Sequence, residues 1–271
     1  MTTPRSLTQV TDGVWIATSR NYRTTSTIVA NGTRALLVDP AWDPDELLGL
    51  AAAIDELGLT VTSGFSTHAH YDHLLWHASC GDPPRWATAR TVEIARSKRD
   101  ELVAALGEDL AAFVGDAFAR VRPVTDDHLP HPFGEDGPAE EVEVIVHDAH
   151  VPGHGALWFP ERRLLIAADM LSDYEMPLPF DPDDLGAYLE GLERLAPYVK
   201  QARYLITGHG APTSGRVDTP LARLDADRRL LEELMAGRDV NDPRRTEPGG
   251  EGTYARLRRL AATYVSRGAP N

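Results

Sequence analysis

Ten histidines are spread over 271 residues, and three of them fall within six positions: His68, His70 and His73, with Asp72 just before the last. A His-X-His-X-Asp-His run at the end of an apolar strand is rare by chance. Alternate residues leaving a strand point the same way, so His68 and His70 can share one metal ion. Asp72 and His73 then face a neighbouring position. Imidazole nitrogen and carboxylate oxygen suit Zn²⁺, and also Fe or Mn. A single histidine at a strand end is more often a surface residue or a loop anchor; four ligand-type residues this close favour a metal.

A catalytic metal site needs further ligands from distant segments. His154 lies in the tight turn Val151-Pro152-Gly153-His154-Gly155. Asp169 follows the apolar run Leu164-Leu165-Ile166-Ala167-Ala168, and His209 lies in Ile206-Thr207-Gly208-His209-Gly210. Each candidate sits at a strand end, where loops gather on a sheet edge, and the flanking glycines let backbone crowd an ion. His147 and His150 compete with His154, but they lack the tight Pro-Gly turn, so His154 is preferred. His77, one helical turn beyond His73, is either a support for the motif or a surface residue. His128 and His131 fall in a polar loop and are expected to be solvated. Cys80 is the sole cysteine, so no intramolecular disulfide is possible, and it is read as a bystander. No Gly-X-Ser-X-Gly elbow, P-loop or Gly-X-Gly-X-X-Gly fingerprint is present.

The elements that must position these residues follow from periodicity. Val14–Ala17 reads as a strand. Thr25–Ala30 and Ala35–Val38 flank Asn31-Gly32, a hairpin signal. A helix opens at Asp43 or Pro44 and runs to about Leu57, with Leu47, Leu48, Ala51, Ile54 and Leu57 at helical spacing. Val61–Ser66 is a buried strand leading straight into the histidine motif. Thr88–Arg120 is mostly helical, broken near Arg99 and Gly107, with Thr88 as N-cap; it is a candidate lid over the metal edge. Asp126–Pro138 is a loop. Strands resume at Val142–Val146, Ala156–Phe159 and Leu164–Ala168. A helix at Pro182–Tyr198, a strand at Arg203–Ile206 and helices at Leu221–Met235 and Glu251–Ser266 complete the chain. Met170–Phe180 directly follows Asp169 and either lines a substrate pocket or packs as a loop.

The pattern of strands then helix occurs twice, which suits two sheets packed face to face with helices outside. No linker splits the chain, so one domain over 1–271 is expected, with a helical insert around 88–122 and a helical extension over 216–271. Hydrophobic residues make up 42% of the chain, enough for a sizeable core. The formal net charge of −14 lacks the basic footprint that nucleic-acid binding needs. Met1–Val10 has no apolar stretch of leader length and no segment approaches a membrane span, so a cytoplasmic protein acting on a small molecule is expected.

The segments Thr67–His73, Pro152-Gly153-His154, Ala168-Asp169 and Gly208-His209-Gly210 resemble, in order and separation, those of the metallo-β-lactamase-fold hydrolases. The resemblance covers roughly residues 8 to 215. It implies an α+β fold, a four-layer αββα sandwich, with a two-metal site on one edge. By that match His68, His70 and His154 hold one divalent metal, Asp72, His73 and His209 hold the second, and Asp169 bridges them. Zinc is the expected metal. A hydroxide between the ions would attack a carbonyl or phosphorus, since metal binding lowers the pKa of water towards about 7. Asp72 can also move a proton to the leaving group.

The family's β-lactamase members differ at the position of Asp169, which points away from antibiotic hydrolysis. Lactonases carry a tyrosine shortly after that aspartate, and Tyr174 stands slightly displaced from it. The resemblance thus implies cleavage of a carboxylic ester, thioester or lactone. A phosphodiesterase, a mononuclear iron oxidoreductase on the same scaffold and a metal-stabilised binding module remain open.

Overall fold

The computed structural model describes residues 3–268. Met1 and Thr2, at the head of the stretch read for a leader, and the last three residues of the expected extension lie outside that range. The chain divides into two compact units, residues 1–144 and 145–271.

In the first unit the chain runs through β1 (Thr8–Thr11), β2 (Val14–Thr18), β3 (Thr25–Asn31), β4 (Arg34–Val38), α1 (Pro44–Glu56) and β5 (Thr60–Phe65). It continues through β6 (Arg85–Ala87), α2 (Ala89–Ser97), α3 (Arg99–Leu106), α4 (Glu108–Val114) and β7 (Arg122–Pro123). Among the described residues these strands form one sheet in the order β1-β2-β3-β4-β5-β6-β7. The hairpin between β3 and β4 is displaced by one residue from the expected turn. Asn31 pairs with Arg34, and the two-residue loop is Gly32-Thr33, with Gly32 at φ +63°. A left-handed first position suits glycine better than asparagine, so the turn settles there.

Helix α1 starts where Asp43 and Glu46 make a capping box. It serves as the crossover between β4 and β5, which therefore run parallel. β6 and β7 were not foreseen; with three and two residues they are too short to show periodicity. The insert α2–α4 does break near Arg99 and Gly107. Its Val92, Ala95, Leu110 and Val114 share a core cluster with Ala69, Leu74 and Leu75, the apolar residues in and after the histidine motif. The insert thus buttresses that motif.

The second unit holds most of a sheet in the order β11-β10-β9-β8, formed by β8 (Glu143–His147), β9 (His154–Phe159), β10 (Leu164–Ala168) and β11 (Tyr204–Thr207). β9 and β10 are buried along their whole length, as the apolar runs Ala156–Phe159 and Leu164–Ala168 require. β10 pairs antiparallel with β9 and parallel with β11. The parallel crossover is α5 (Leu185–Gln201), which begins three residues later than expected, behind the N-cap Asp184. Helices α6 (Pro220–Met235) and α7 (Gly250–Ser266) follow. Leu224, Leu231, Tyr254 and Leu257 pack with Tyr188, Leu192, Met170, Leu171 and Met176 in one cluster. The front of the Met170–Phe180 segment is therefore a packed loop.

The two sheets with helices are the α+β class that the sequence implied. Each unit contains a strand–helix–strand crossover, and ligands gather where such parallel strands end. Among the described residues, no helix is long and apolar enough to cross a membrane.

Candidate metal centre

The carboxyl ends of β4 and β5 carry the first donor set. Asp39 ends β4 in a left-handed conformation, φ +47°, a strain that non-glycine residues accept where function fixes the chain. Its carboxylate takes Thr67 N–H at 2.9 Å and Thr67 Oγ1–H at 2.6 Å, which clamps the chain as it leaves β5. The same carboxylate lies 2.8 Å from His73 Nδ1. A carboxylate acceptor puts the proton on Nδ1 and leaves the Nε2 lone pair available, the usual support of a metal-binding imidazole. His73 Nε2 is 3.3 Å from Asp72 Oδ2, and His68 Nε2 is 3.0 Å from His70 Nδ1. His68 and His73 are fully buried, with ring centroids 4.2 Å apart. The structure thus brings His68, His70, Asp72 and His73 together. Asp39 escaped the sequence reading because one aspartate after Leu36-Leu37-Val38 looks like an ordinary strand end.

The ends of β10 and β11 carry the second set. The β10–β11 register shifts between Ile166 and Ala168, and Ala168 adopts φ +46°. Such an irregularity re-aims the next side chain, here Asp169. Asp169 Oδ2 lies 3.4 Å from His150 Nε2 and 3.4 Å from His209 Nε2. His150 Nδ1 faces the Leu178 carbonyl at 2.9 Å, and Phe180 N–H donates to the His150 carbonyl at 2.6 Å. These contacts fix the ring with Nε2 towards Asp169. His150, which the sequence ranked behind His154, thus stands beside Asp169. His154 opens β9, and its ring stacks on His147 at 4.6 Å. Burial pushes His147 down to about 3, with Arg194 and His150 adding to it, so this ring is neutral.

Glu175, which the sequence did not single out, joins Asp169 and His209: ligand atoms of the three lie within 4.8 Å of one another. His209 is held by its carbonyl, which accepts from Ser172 Oγ at 2.7 Å and from Thr207 Oγ1 at 2.8 Å. Gly210 follows at φ +101°, and a Cβ there would meet Asp173 Oδ1 at 2.2 Å, so only glycine fits beside His209. Ser172 also accepts the N–H groups of Tyr174 and Glu175, both at 2.9 Å. From behind, buried Arg244 donates to the carbonyls of Ser172 and Glu175 at 3.0 and 3.1 Å. Arg244 is itself held by Asp227 and Asp242. The C-terminal extension therefore fixes the loop that carries Glu175.

Two of the remaining histidines, His77 and His128, have structural contacts. His77 stacks on Phe113 at 4.1 Å and accepts the N–H of Ser79, capping a short turn. His128 is exposed and pairs with Glu141, and His131 is exposed. Burial pushes the Cys80 thiol up to about 11, which leaves it a poor nucleophile.

The donor spacings fit a divalent ion. Two ligands of a tetrahedral zinc at about 2.0–2.2 Å stand roughly 3.3–3.5 Å apart. The donor pairs within each set, at 3.0, 3.3, 3.4 and 3.4 Å, lie near that figure. Each set is a mixture of imidazole and carboxylate backed by a further hydrogen-bonding layer.

The profile of the metallo-β-lactamase superfamily matches residues 20–234, and the chain belongs to that superfamily. Its members are mostly metal-dependent hydrolases acting on small molecules. Among solved structures, a β-lactamase domain protein from Burkholderia ambifaria is similar over 96% of this chain and 89% of its own, with 16% identity and a TM-score of 0.67. A metallo-β-lactamase family protein from Thermus thermophilus is similar over 96% and 95%, with 20% identity and a TM-score of 0.64. The metallo-β-lactamase FIM-1 from Pseudomonas aeruginosa, in a mono-zinc form, is similar over 83% and 96%, with 18% identity and a TM-score of 0.60.

Proposed function

We propose that the chain is a binuclear metal-dependent hydrolase that cleaves a carboxylic ester, thioester or lactone. In this reading residues 1–271 are a single metallo-hydrolase domain, an αββα sandwich. His68, His70 and His150 would hold one divalent metal, Asp72, His73 and His209 the other, and Asp169 would serve both. Zinc is the preferred metal because imidazole dominates the set. The observation that carries the reading is Asp169 Oδ2, equidistant at 3.4 Å from ring nitrogens of His150 and His209. A carboxylate between two imidazoles from separate strand ends suits a bridge.

When bound, the metals supply an acidified water and positive charge for the oxyanion that develops. The chain's own groups do the rest. Asp39 keeps the His73 Nε2 lone pair directed outward, and Leu178 does the same for His150 through its carbonyl. Asp72 accepts the proton of the attacking water and returns it to the departing oxygen or sulfur. Glu175, beside His209, adds negative charge that favours a cationic or neutral substrate over an anionic one.

The test pairs metal analysis of the purified protein with p-nitrophenyl acetate, a lactone, a thioester and bis-p-nitrophenyl phosphate. Two metals per chain and chelator-sensitive turnover of an ester-type substrate are expected. Turnover confined to the phosphodiester would replace the substrate class. One iron per chain with oxygen consumption would replace the reaction. Asp72→Asn with both metals retained and full turnover would remove Asp72 from proton transfer.

A further inference from the structure

We propose that a cavity of about 160 Å³ at the head of β5 binds a small hydrophobic amine, with its apolar body among Ala51, Ile54, Leu59, Val61 and Cys80 and its ammonium on Asp55. The cavity lies within the first unit, between the end of α1, the start of β5 and the short turn Ala78–Cys80. His68 follows the other end of β5, so this cavity is separate from the first donor set, and the hydrolase reading gives it no role. Its size suits one ring or a short branched chain: a cavity of roughly 150 Å³ lined by apolar side chains takes up benzene.

The walls are held apart. Leu59 N–H donates to the Ile54 carbonyl at 3.2 Å and Gly58 N–H to the Asp55 carbonyl at 2.9 Å, which fixes the corner from α1 into β5. On the facing side, Cys80 N–H donates to the His77 carbonyl and Gly81 N–H to the Ala78 carbonyl, both at 3.0 Å. Trp76 Nε1–H donates to the Gly81 carbonyl, also at 3.0 Å. Ile54, Leu59 and Cys80 share a core cluster with Leu50 and Trp76. Walls fastened on both sides resist closing the gap, so a ligand meets a formed site and pays little to order it.

The head group follows from charge. Asp55 and Glu56 stand in the last turn of α1, which carries no basic residue. The carboxyl end of a helix disfavours carboxylates and favours a cation. Among the described residues neither makes an ion pair, and exposed Asp55 stands at the mouth of the cavity. Burial, with Asp55 adding to it, pushes the Cys80 thiol up to about 11, so it stays neutral and offers a polarisable apolar wall. An anionic ligand would meet Asp55 and Glu56 as like charges.

The probes are benzylamine, benzyl alcohol and benzoate, alike in size and different in head group, offered to the metal-loaded protein and followed by ligand-observed saturation-transfer NMR. Benzylamine is expected to bind saturably, and tighter than benzyl alcohol by about 1.5- to fivefold, the worth of an exposed charge pair. Benzoate is expected to bind weakest. Asp55→Asn, at an exposed residue that the fold does not need, should bring the amine down to the alcohol. Ala51→Met fills the cavity and should weaken both. The sole cysteine gives the location: methyl methanethiosulfonate adds one S-methyl group to Cys80, forming a disulfide and releasing methanesulfinate, and benzylamine should slow that step saturably. No saturable binding of benzylamine, or binding that Asp55→Asn and Ala51→Met both leave unchanged, overturns the site. Benzoate competing with benzylamine at equal affinity does the same.

Discussion

Arg244→Met tests whether the C-terminal extension acts as the foundation of the second donor set. The guanidinium donates to Asp227 at 2.6 Å, to Asp242 at 3.0 and 2.9 Å, and to the carbonyls of Ser172 and Glu175. Asp227 is 1% exposed. Burial opposes the Arg244 charge, but Asp227 and Asp242 outweigh it and raise its pKa. Removing one partner of a buried pair costs about 3–5 kcal/mol, because the other charge is stranded. Burial already pushes the Asp227 carboxyl up, so it takes a proton when the arginine goes, and the lower end of that range is expected. For a chain of this size 3 kcal/mol corresponds to roughly 6–12 °C in Tm. Differential scanning calorimetry gives the shift. The double variant Arg244→Met/Asp227→Leu should recover part of the loss, since no buried carboxylate remains at 227. A fall of less than about 1 °C in the single variant, or no recovery in the double, would refute this reasoning.

Two further outcomes are expected. Asp39→Asn weakens the proton-fixing partner of His73 and should lower the affinity of one metal by about 10–100-fold while the other is kept, as followed by competition with a chromogenic chelator. His147 has a folded pKa of about 3 against an unfolded value near 6.5, so the unfolded chain binds more protons between those values. Its contribution to stability is therefore full above pH 6.5 and lost as pH falls towards 3, with a loss of about 2 kcal/mol by pH 5. In melting curves from pH 7 to 5, His147→Phe should show a smaller fall in Tm than the parent; an equal fall would contradict the buried neutral ring.

The legible part of the chain was local. His68, His70, Asp72 and His73 announce themselves because one short segment carries all four. The strands β3, β4, β9 and β10 show as unbroken or alternating apolar runs. The place of His150 was not local. Four residues separate it from His154, and the Pro-Gly turn that marks His154 says nothing of His150, which distant contacts hold beside Asp169. The structure starts β9 at His154 and ties His150 to Leu178, 28 positions away. Asp39, Glu175 and Arg244 were invisible for the same reason. Each acts through partners brought near by a crossover or by the helical extension, and nothing beside them in sequence marks the contact.

The most direct measurement is an anomalous-scattering map from crystals of the metal-loaded protein, recorded at the absorption edge of the bound metal. Two peaks are expected, with His68, His70 and His150 about 2.0–2.2 Å from one, Asp72, His73 and His209 at similar distances from the other, and Asp169 touching both. A peak ligated by His154 in place of His150, or histidines 68–73 without any peak, would contradict the proposed centre.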